Sequence, residues 1–255
     1  MLLYDDGAHS DNGAGDGIFG NSVADNWTSS QHYFIDLTAS DDNSNSIFLN
    51  NVSGFDGIIT PDNVNLPFTH EVMNVNGLSD EPIWNSIAAV PVTKHHWGPI
   101  DDAGDLSASF KASSNLDSLL VLINVVDDSL DNIQGSQIWE NDKISLYLDM
   151  DNSHGSSYDA NDWDMTIVWE GGFNSNRGFS GFRYVHQTNT QRDGYQLEFA
   201  LSLKDLGFPL TETLGFDLDI MDRDGEDPAT ALLFWNSEIN LNYTNPGLNG
   251  FETLL

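Results

Sequence analysis

The chain is predicted to be all-β, an antiparallel β-sandwich with a short β-rich N-terminal segment. Helical periodicity is scarce over its 255 residues, and short alternating or apolar runs recur throughout. Nearly every run is bounded by Gly, Asn, Asp or Ser, the residues that close turns between strands. Hydrophobic residues make up 39% and aromatics 11%, enough apolar surface for one large sandwich or two smaller domains.

Taken in order, the first seventy residues read differently from the rest. Asp5-Asp6-Gly7-Ala8-His9-Ser10-Asp11-Asn12-Gly13-Ala14-Gly15-Asp16-Gly17-Ile18-Phe19 is a long acidic turn-forming loop. Tyr33–Thr38 is expected as a strand, with Asp41-Asp42-Asn43-Ser44-Asn45 turning it into a hairpin. Ser53–His70 holds Pro61, Pro67 and several Asn and Asp, and is expected as a linker. The expected division is therefore 1–70 and 71–255. In the second part, strands are expected at Ser107–Lys111, Leu119–Val126, Ile144–Leu148, Met165–Trp169, Tyr195–Leu201, Gly215–Met221 and Ala231–Trp235. Ser202–Leu206 is expected as one helical turn capped by Ser202. In Phe216-Asp217-Leu218-Asp219-Ile220 the alternation sends the apolar side chains to the core and both acids to the other face.

Charge sets limits on partners. The net charge is −32, with eight Lys plus Arg against forty Asp plus Glu, which excludes electrostatic binding to nucleic acid or to an anionic membrane surface. Neutral ligands, calcium and cationic partners remain. With no cysteine there is no disulfide, thiolate zinc site or cysteine nucleophile. No run approaches the ~18 apolar residues of a membrane helix, so membrane insertion is not expected. Met1-Leu2-Leu3-Tyr4-Asp5 lacks the regions of a signal peptide. An exported parent is therefore expected to carry a leader outside this chain. There is no Gly-x-Ser-x-Gly elbow, phosphate loop or His-Glu-x-x-His. The neighbours His95 and His96 point to opposite faces of a strand and are not expected to share a metal.

Only nine of the forty acids are Glu; the others are Asp, set on Gly- and Asn-rich turns where short carboxylates direct oxygens at a hard cation. Four clusters are calcium candidates: Asp5/Asp6/Asp11/Asp16, Asp127/Asp128/Asp131, Asp149/Asp151/Asn152/Ser153 and Asp222/Asp224/Glu226/Asp227. From them, Asp127, Asp128, Asp149, Asp151, Asp222 and Asp224 are taken as candidate ligands. The third cluster starts like an EF-hand, but Gly155 falls one position late and no Glu follows at the required distance. The bland alternative is a solvated acidic surface that keeps the protein soluble.

Trp139, at the head of an expected half-buried strand from Ile138 to Asp149, and Tyr243, near the end of the chain, are both set among Asn and Asp. Such a pair can clamp a sugar, because a pyranose offers an apolar face to an aromatic ring and hydroxyls to amides. Trp84 and Trp235 read as core. Trp163 and Trp169 bracket a strand and read first as core, with a wider binding surface as the alternative.

Several segments together carry a resemblance. Asn76-Gly77-Leu78-Ser79-Asp80-Glu81-Pro82-Ile83-Trp84 opens it, followed by Leu119–Asp128, Trp139-Glu140-Asn141-Asp142, Asp193-Gly194-Tyr195-Gln196-Leu197-Glu198 and Gly215–Asp222. Trp235, Tyr243, Pro246 and Phe251-Glu252-Thr253-Leu254 close it. In order and spacing these resemble family 9 of the carbohydrate-binding modules, β-sandwich modules of secreted bacterial glycan-degrading proteins. The Asp5–Phe19 loop resembles part of a bacterial surface Ig-like module. The family resemblance implies two aromatics sandwiching a terminal sugar, with calcium ions in a structural role. It places the first aromatic at Trp139, the second at Tyr243 and a hydrogen-bonding Asn at Asn240. It also places the family's acidic residue at Ser145 and its Arg near Thr166. At those two positions the charge-assisted bonds are missing, each worth roughly 1.5–3 kcal/mol. Arg177, in a Gly-rich aromatic loop, is the candidate replacement for the Arg.

The leading expectation is a non-catalytic, calcium-stabilised module that binds a plant or algal oligosaccharide or polysaccharide, or its chain end. Its place is the bacterial surface or exterior, within a larger multidomain protein. A calcium-rigidified structural or adhesion module is the second reading. A hydrolase or lyase using an Asp pair is the third, since forty acids supply many pairs.

Overall fold

A computed structural model describes residues 2–6, 8, 13–19, 21, 31–40, 45–57, 63–132, 137–178, 181–207, 213–224, 230–237 and 241–254. Side chains at 31–35, 51–57, 139, 230, 248 and 250–254 are outside that description. The chain divides into two compact units, Met1–Ile59 and Thr60–Leu255.

In the first unit, β1 (Gln31–Ser40) and β2 (Ser46–Gly57) pair as an antiparallel hairpin with a register shift between Ile35 and Leu37. The expected turn at 41–44 lies outside the described residues. In the acidic loop, the Asp5 carboxylate accepts from the amides of Gly15 (2.6 Å), Asp16 (3.2 Å) and Gly17 (3.0 Å), closing the loop on itself.

The second unit is two facing sheets. Its strands are β3 (Asn63–Leu66), β4 (Val90–Val92), β5 (Lys94–Trp97), β6 (Leu106–Ser114), β7 (Ser118–Asp127), β8 (Lys143–Asp149) and β9 (Asp162–Val168). They continue with β10 (Phe173–Ser175), β11 (Phe182–Thr188), β12 (Gly194–Ser202), β13 (Thr213–Arg223), β14 (Thr230–Phe234) and β15 (Gly250–Leu254). The larger sheet runs β10-β9-β8-β13-β14-β5; β15 pairs β13 beside β14, and β3 adds to β15 in parallel. The smaller sheet runs β11-β12-β7-β6-β4. Among the described residues, no helix is long and apolar enough to cross a membrane.

Alternation builds the core. From the larger sheet come Ile144, Leu146 and Leu148 of β8, Met165 and Ile167 of β9, and Phe216, Leu218 and Ile220 of β13. The smaller sheet answers with Leu119, Val121, Ile123, Leu197 and Phe199. Each buried side chain of this size is worth ~1.5–3 kcal/mol. An aromatic triangle joins the layers: Phe110 lies 5.2 Å from Trp235 and 5.9 Å from Phe216, ring centre to ring centre.

Three details differ from the sequence expectation. Part of the expected linker is sheet: Ser53–Gly57 continues β2, and Asn63–Leu66 is β3, drawn in by the backbone groups of β15. Thr69 N and Ser114 N then exchange bonds with Ser114 O and Pro67 O, fastening the chain beside β6. Ile138–Glu140 is a 3-10 turn rather than strand, closed by a reciprocal Gln137–Glu140 capping box. The β8 strand is buried on both faces rather than half-buried, and so is most of β13.

The opening motif gains a physical reason. Glu198 of β12 is buried on the outer face of the smaller sheet and accepts from Asn76 N (2.8 Å), Gly77 N (3.0 Å) and Trp84 Nε1 (3.2 Å). Trp84, on the single short helix α1 (Pro82–Ser86) among the described residues, packs there with Met73, Leu120, Leu122 and Ala200. The turn after β12 is capped as expected, Ser202 Oγ accepting from Asp205 N at 3.2 Å.

Candidate functional site

The outer face of the larger sheet carries an unusual density of buried polar groups. Register places Thr166, Ser145 and Asp219 in one row across β9, β8 and β13. Lys143 Nζ donates to Asp219 Oδ1 at 2.8 Å and to Ser145 Oγ at 2.7 Å. Tyr147 Oη donates to the other Asp219 oxygen at 2.6 Å, and Ser145 Oγ lies 3.4 Å from Thr166 Oγ1. Asp164 flanks the cluster; burial pushes its carboxyl up to about 6, Asp219 adds to that, and Lys143 opposes it. Tyr147, Met221, Leu232 and Phe234 form the apolar side of this face, with His96 4.7 Å from Phe234.

A loop from the end of the chain is pinned to the same sheet through Asp217. The Asp217 carboxylate, fully buried, accepts from Leu218 N (2.8 Å), Asn236 N (3.0 Å), Ser237 N (2.9 Å) and Asn242 Nδ2 (2.9 Å). Burial pushes this carboxyl up to about 7, against the pull of those donors. Asn242 Nδ2 also donates to Asn249 Oδ1, and Tyr158 Oη donates to Asn242 O at 2.7 Å. Tyr243, the next residue, is thereby held with 52% of its surface open. Asn240 lies outside the described residues.

At one end of the sandwich, Asp127, Asp142 and Asp222 bring carboxylate oxygens within 4.8 Å of one another, and all three residues are buried. A second group with the same spacing, Asp105, Asp128 and Asp224, is more exposed. Burial is the main cause that raises Asp142 to about 9, Asp222 to about 8 and Asp127 to about 6; the neighbouring acids add to it. Asp222 Oδ1 and the hydroxyl of buried Tyr195 find no hydrogen-bond partner. Asp142 also braces the turn bearing residue 139. It accepts from Asp131 N and from Arg223 N (2.7 Å), while Arg223 Nη1 donates to Glu140 O at 2.8 Å.

The expected ligands thus fall into separate places. Asp127 and Asp222 meet, and so do Asp128 and Asp224; Asp142 and Asp105 complete the groups, and neither was anticipated. Asp149 and Asp151 belong to neither: Asp149 accepts from Ser153 N and His154 N, and Asp151 from Asn161 Nδ2, all within the β8–β9 loop. Glu226, Asp227 and Asp11 lie outside the described residues. Arg177 is committed elsewhere. It donates to Ala160 O (2.6 Å) and Asp159 O, with its guanidinium 5.9 Å from the Trp163 ring centre. Trp163 and Trp169 are in the core, as are Trp84 and Trp235 in their clusters. The backbone of Trp139 lies in the 3-10 turn before β8, and its side chain is outside the description. Sequence reasoning missed Lys143 and Asp219 as a pair; the signal available was a lysine at the head of one apolar strand and an acid inside another.

Comparison with known proteins agrees with this architecture. The family described as "Carbohydrate family 9 binding domain-like" matches residues 75–255. A carbohydrate binding module family 9 from Caldicellulosiruptor kristjanssonii, in complex with glucose, superposes with a TM-score of 0.67 at 20% identity. It covers 76% of this chain and 96% of that one. The complex of such a module with cellotriose gives 0.65 at 20% identity, covering 75% and 93%. Among curated relatives, endo-1,4-beta-xylanase A of Thermoanaerobacterium saccharolyticum is 26% identical over 144 residues, which is 56% of this chain and 11% of the relative. Exoglucanase XynX of Acetivibrio thermocellus is 25% identical over 163 residues, 63% and 14%. The chain spans only a small part of those relatives, so their enzymatic activity is not its own by this likeness. Residues 75–255, the two-sheet unit built around β7, β8 and β13, belong to the carbohydrate family 9 binding domain-like family.

Proposed function

We propose that residues 75–255 form a non-catalytic module that binds an oligosaccharide or the end of a polysaccharide chain, within a larger bacterial protein exported from the cell. One observation carries the reading. Two separate anchors, Asp142 and Asp217, hold the turn containing Trp139 and the loop containing Tyr243 to the sheet that bears the polar row Thr166–Ser145–Asp219. Aromatic rings supply area to a sugar and the row supplies orientation. Titration calorimetry with cellotriose and glucose tests it. Millimolar to micromolar binding that disappears in Trp139→Ala and in Tyr243→Ala supports the clamp, and full affinity in both variants would remove it.

Calcium has a fitting place at Asp127, Asp142 and Asp222. The donors are all oxygen, the cluster is buried, and Asp222 Oδ1 is left without a partner. A bound divalent cation would neutralise three carboxylates that otherwise repel one another, and would fasten the ends of β7 and β13 to the start of β8. The same arrangement favours a second reading, a calcium-rigidified structural module. If that reading holds, calcium raises the melting temperature while no glycan is bound.

A further inference from the structure

We infer that the outer face of the smaller sheet carries a docking site for an extended segment of a partner protein, one that presents an aliphatic side chain next to a lysine or arginine. Register lays three successive rows across β6, β7 and β12: Lys111 with Leu122 and Glu198, Ser113 with Leu120 and Ala200, and Ser118 with Ser202. The segment from Pro67 to Trp84 covers the first two. Trp84 O accepts from Lys111 Nζ, Glu198 accepts from Trp84 Nε1, Pro67 O accepts from Ser113 Oγ, and Met73 packs with Leu120 and Ala200. The third row stays half-buried, and a cavity of about 570 Å³ lies over it.

The cavity is open to solvent and chemically mixed. Val72 and Leu116, 94% and 64% exposed, line it and are the two most exposed large apolar side chains described in the second unit. Buried Met73 and Leu120 continue that apolar surface inward. Arg183 lines it too and, alone of the eight Lys and Arg, engages no acceptor or ring among the described residues. Glu71, Asp117 and Asp205 add exposed carboxylates; Gly181, with φ +95°, lets the last approach, since an added Cβ would stand 2.6 Å from Asp205 Oδ2. No Phe, Tyr or Trp lines the cavity, so a sugar ring finds no stacking partner there. Even counting Lys204, 3.9 Å from Asp117, the acids outnumber the Lys and Arg in a chain of net charge −32, which disfavours phosphate, nucleic acid and acidic glycans. A peptide answers each feature. Its aliphatic side chain covers Val72, Leu116 and the floor, its flanking cation meets the carboxylates, and its main-chain carbonyls accept from Arg183.

The test follows backbone amides by NMR while the full chain is titrated with three probes: a blocked pentapeptide alternating lysine and leucine, its counterpart alternating lysine and serine, and cellotriose. The lysine–leucine peptide is expected to move the amides of Val72, Leu116 and Arg183, and the lysine–serine peptide to bind about fivefold more weakly. Two variants at exposed positions, Leu116→Ser and Arg183→Ala, keep the fold, as their amide spectra will show. Leu116→Ser should weaken the lysine–leucine peptide about fivefold, and Arg183→Ala about threefold. The second sign is decisive, because unspecific attraction of a basic peptide to an acidic surface tightens when a cation is removed. Unchanged or tighter binding in Arg183→Ala, equal affinity for the two peptides, or no movement of these amides overturns the inference. Cellotriose moving the same amides overturns it as well, and makes the cavity a glycan site.

Discussion

Replacing Asp217 by Ala removes the acceptor that holds the Tyr243 loop to β13. Asn236 N, Ser237 N and Asn242 Nδ2 then lose their partner in a site closed to water, while Leu218 N is beside its own strand. A buried donor left unsatisfied costs ~1–3 kcal/mol. Three of them would cost more than the expected net, because the variant also relieves the burial of a carboxyl that the fold pushes up to about 7. The expected net loss is ~3 kcal/mol, which for a domain of this size lowers the melting temperature by roughly 6–12 °C. Its pH dependence has a definite sign. The folded value lies above the ordinary 3.8, so the wild type keeps this carboxyl's full contribution below pH 4 and loses it as pH rises through about 7. The gap between wild type and Asp217→Ala should be wider at pH 5 than at pH 8. Thermal melts at both values, with cellotriose titration of the folded variant, measure it. A melting temperature within 2 °C of wild type at pH 5, with glycan affinity unchanged, would refute the idea that Asp217 anchors this loop.

Four further outcomes are expected. Calcium at a hundredfold excess over its Kd should stabilise the protein by ~2.7 kcal/mol, and Asp222→Asn should abolish that rise; an equal rise in the variant places calcium elsewhere. In chelator the raised values of Asp127, Asp142 and Asp222 make stability fall as pH climbs from 4 toward 9, and thermal melts with calcium present should flatten that fall. Glu198→Ala leaves Trp84 Nε1 and two backbone amides without their acceptor, so a loss of ~2–4 kcal/mol is expected in urea, with a red shift of tryptophan emission. Gly194→Ala should be among the most damaging changes: its φ is +140° and an added Cβ would stand 2.2 Å from Val125 O, so chemical denaturation should show a loss above ~3 kcal/mol.

How much of this was legible depended on the kind of information. Strands with an apolar stripe were visible because alternation survives in one dimension, as in β7, β12 and β13. Short edge strands were not: β5 reads Lys-His-His-Trp and β10 Phe-Asn-Ser, and both exist because a neighbour supplies the backbone partners. Asp127 and Asp222 could each be named as candidate ligands, but their meeting could not, since β7 and β13 belong to opposite sheets. Asp142 was hidden inside a run read as strand, where a carboxylate next to a lysine suggests a solvated edge.

The outer face of the larger sheet is where one-dimensional reading said least. Alternation put Asp217 and Asp219 on the face away from the core, where they are, but did not show that this face is covered. Both are buried, and each does a different thing: Asp217 gathers donors from a returning loop, and Asp219 pairs with a lysine and a tyrosine on the adjacent strand. At Ser145 and Thr166 the resemblance marks two missing charges, because it compares residues position by position. Hydrogen-bonding groups on a sheet face meet across strands and between neighbouring rows. In this chain Asp219 of β13, in the row of Ser145 and Thr166, meets Lys143, two residues before Ser145 on β8, at 2.8 Å, a contact that comparison by position does not register.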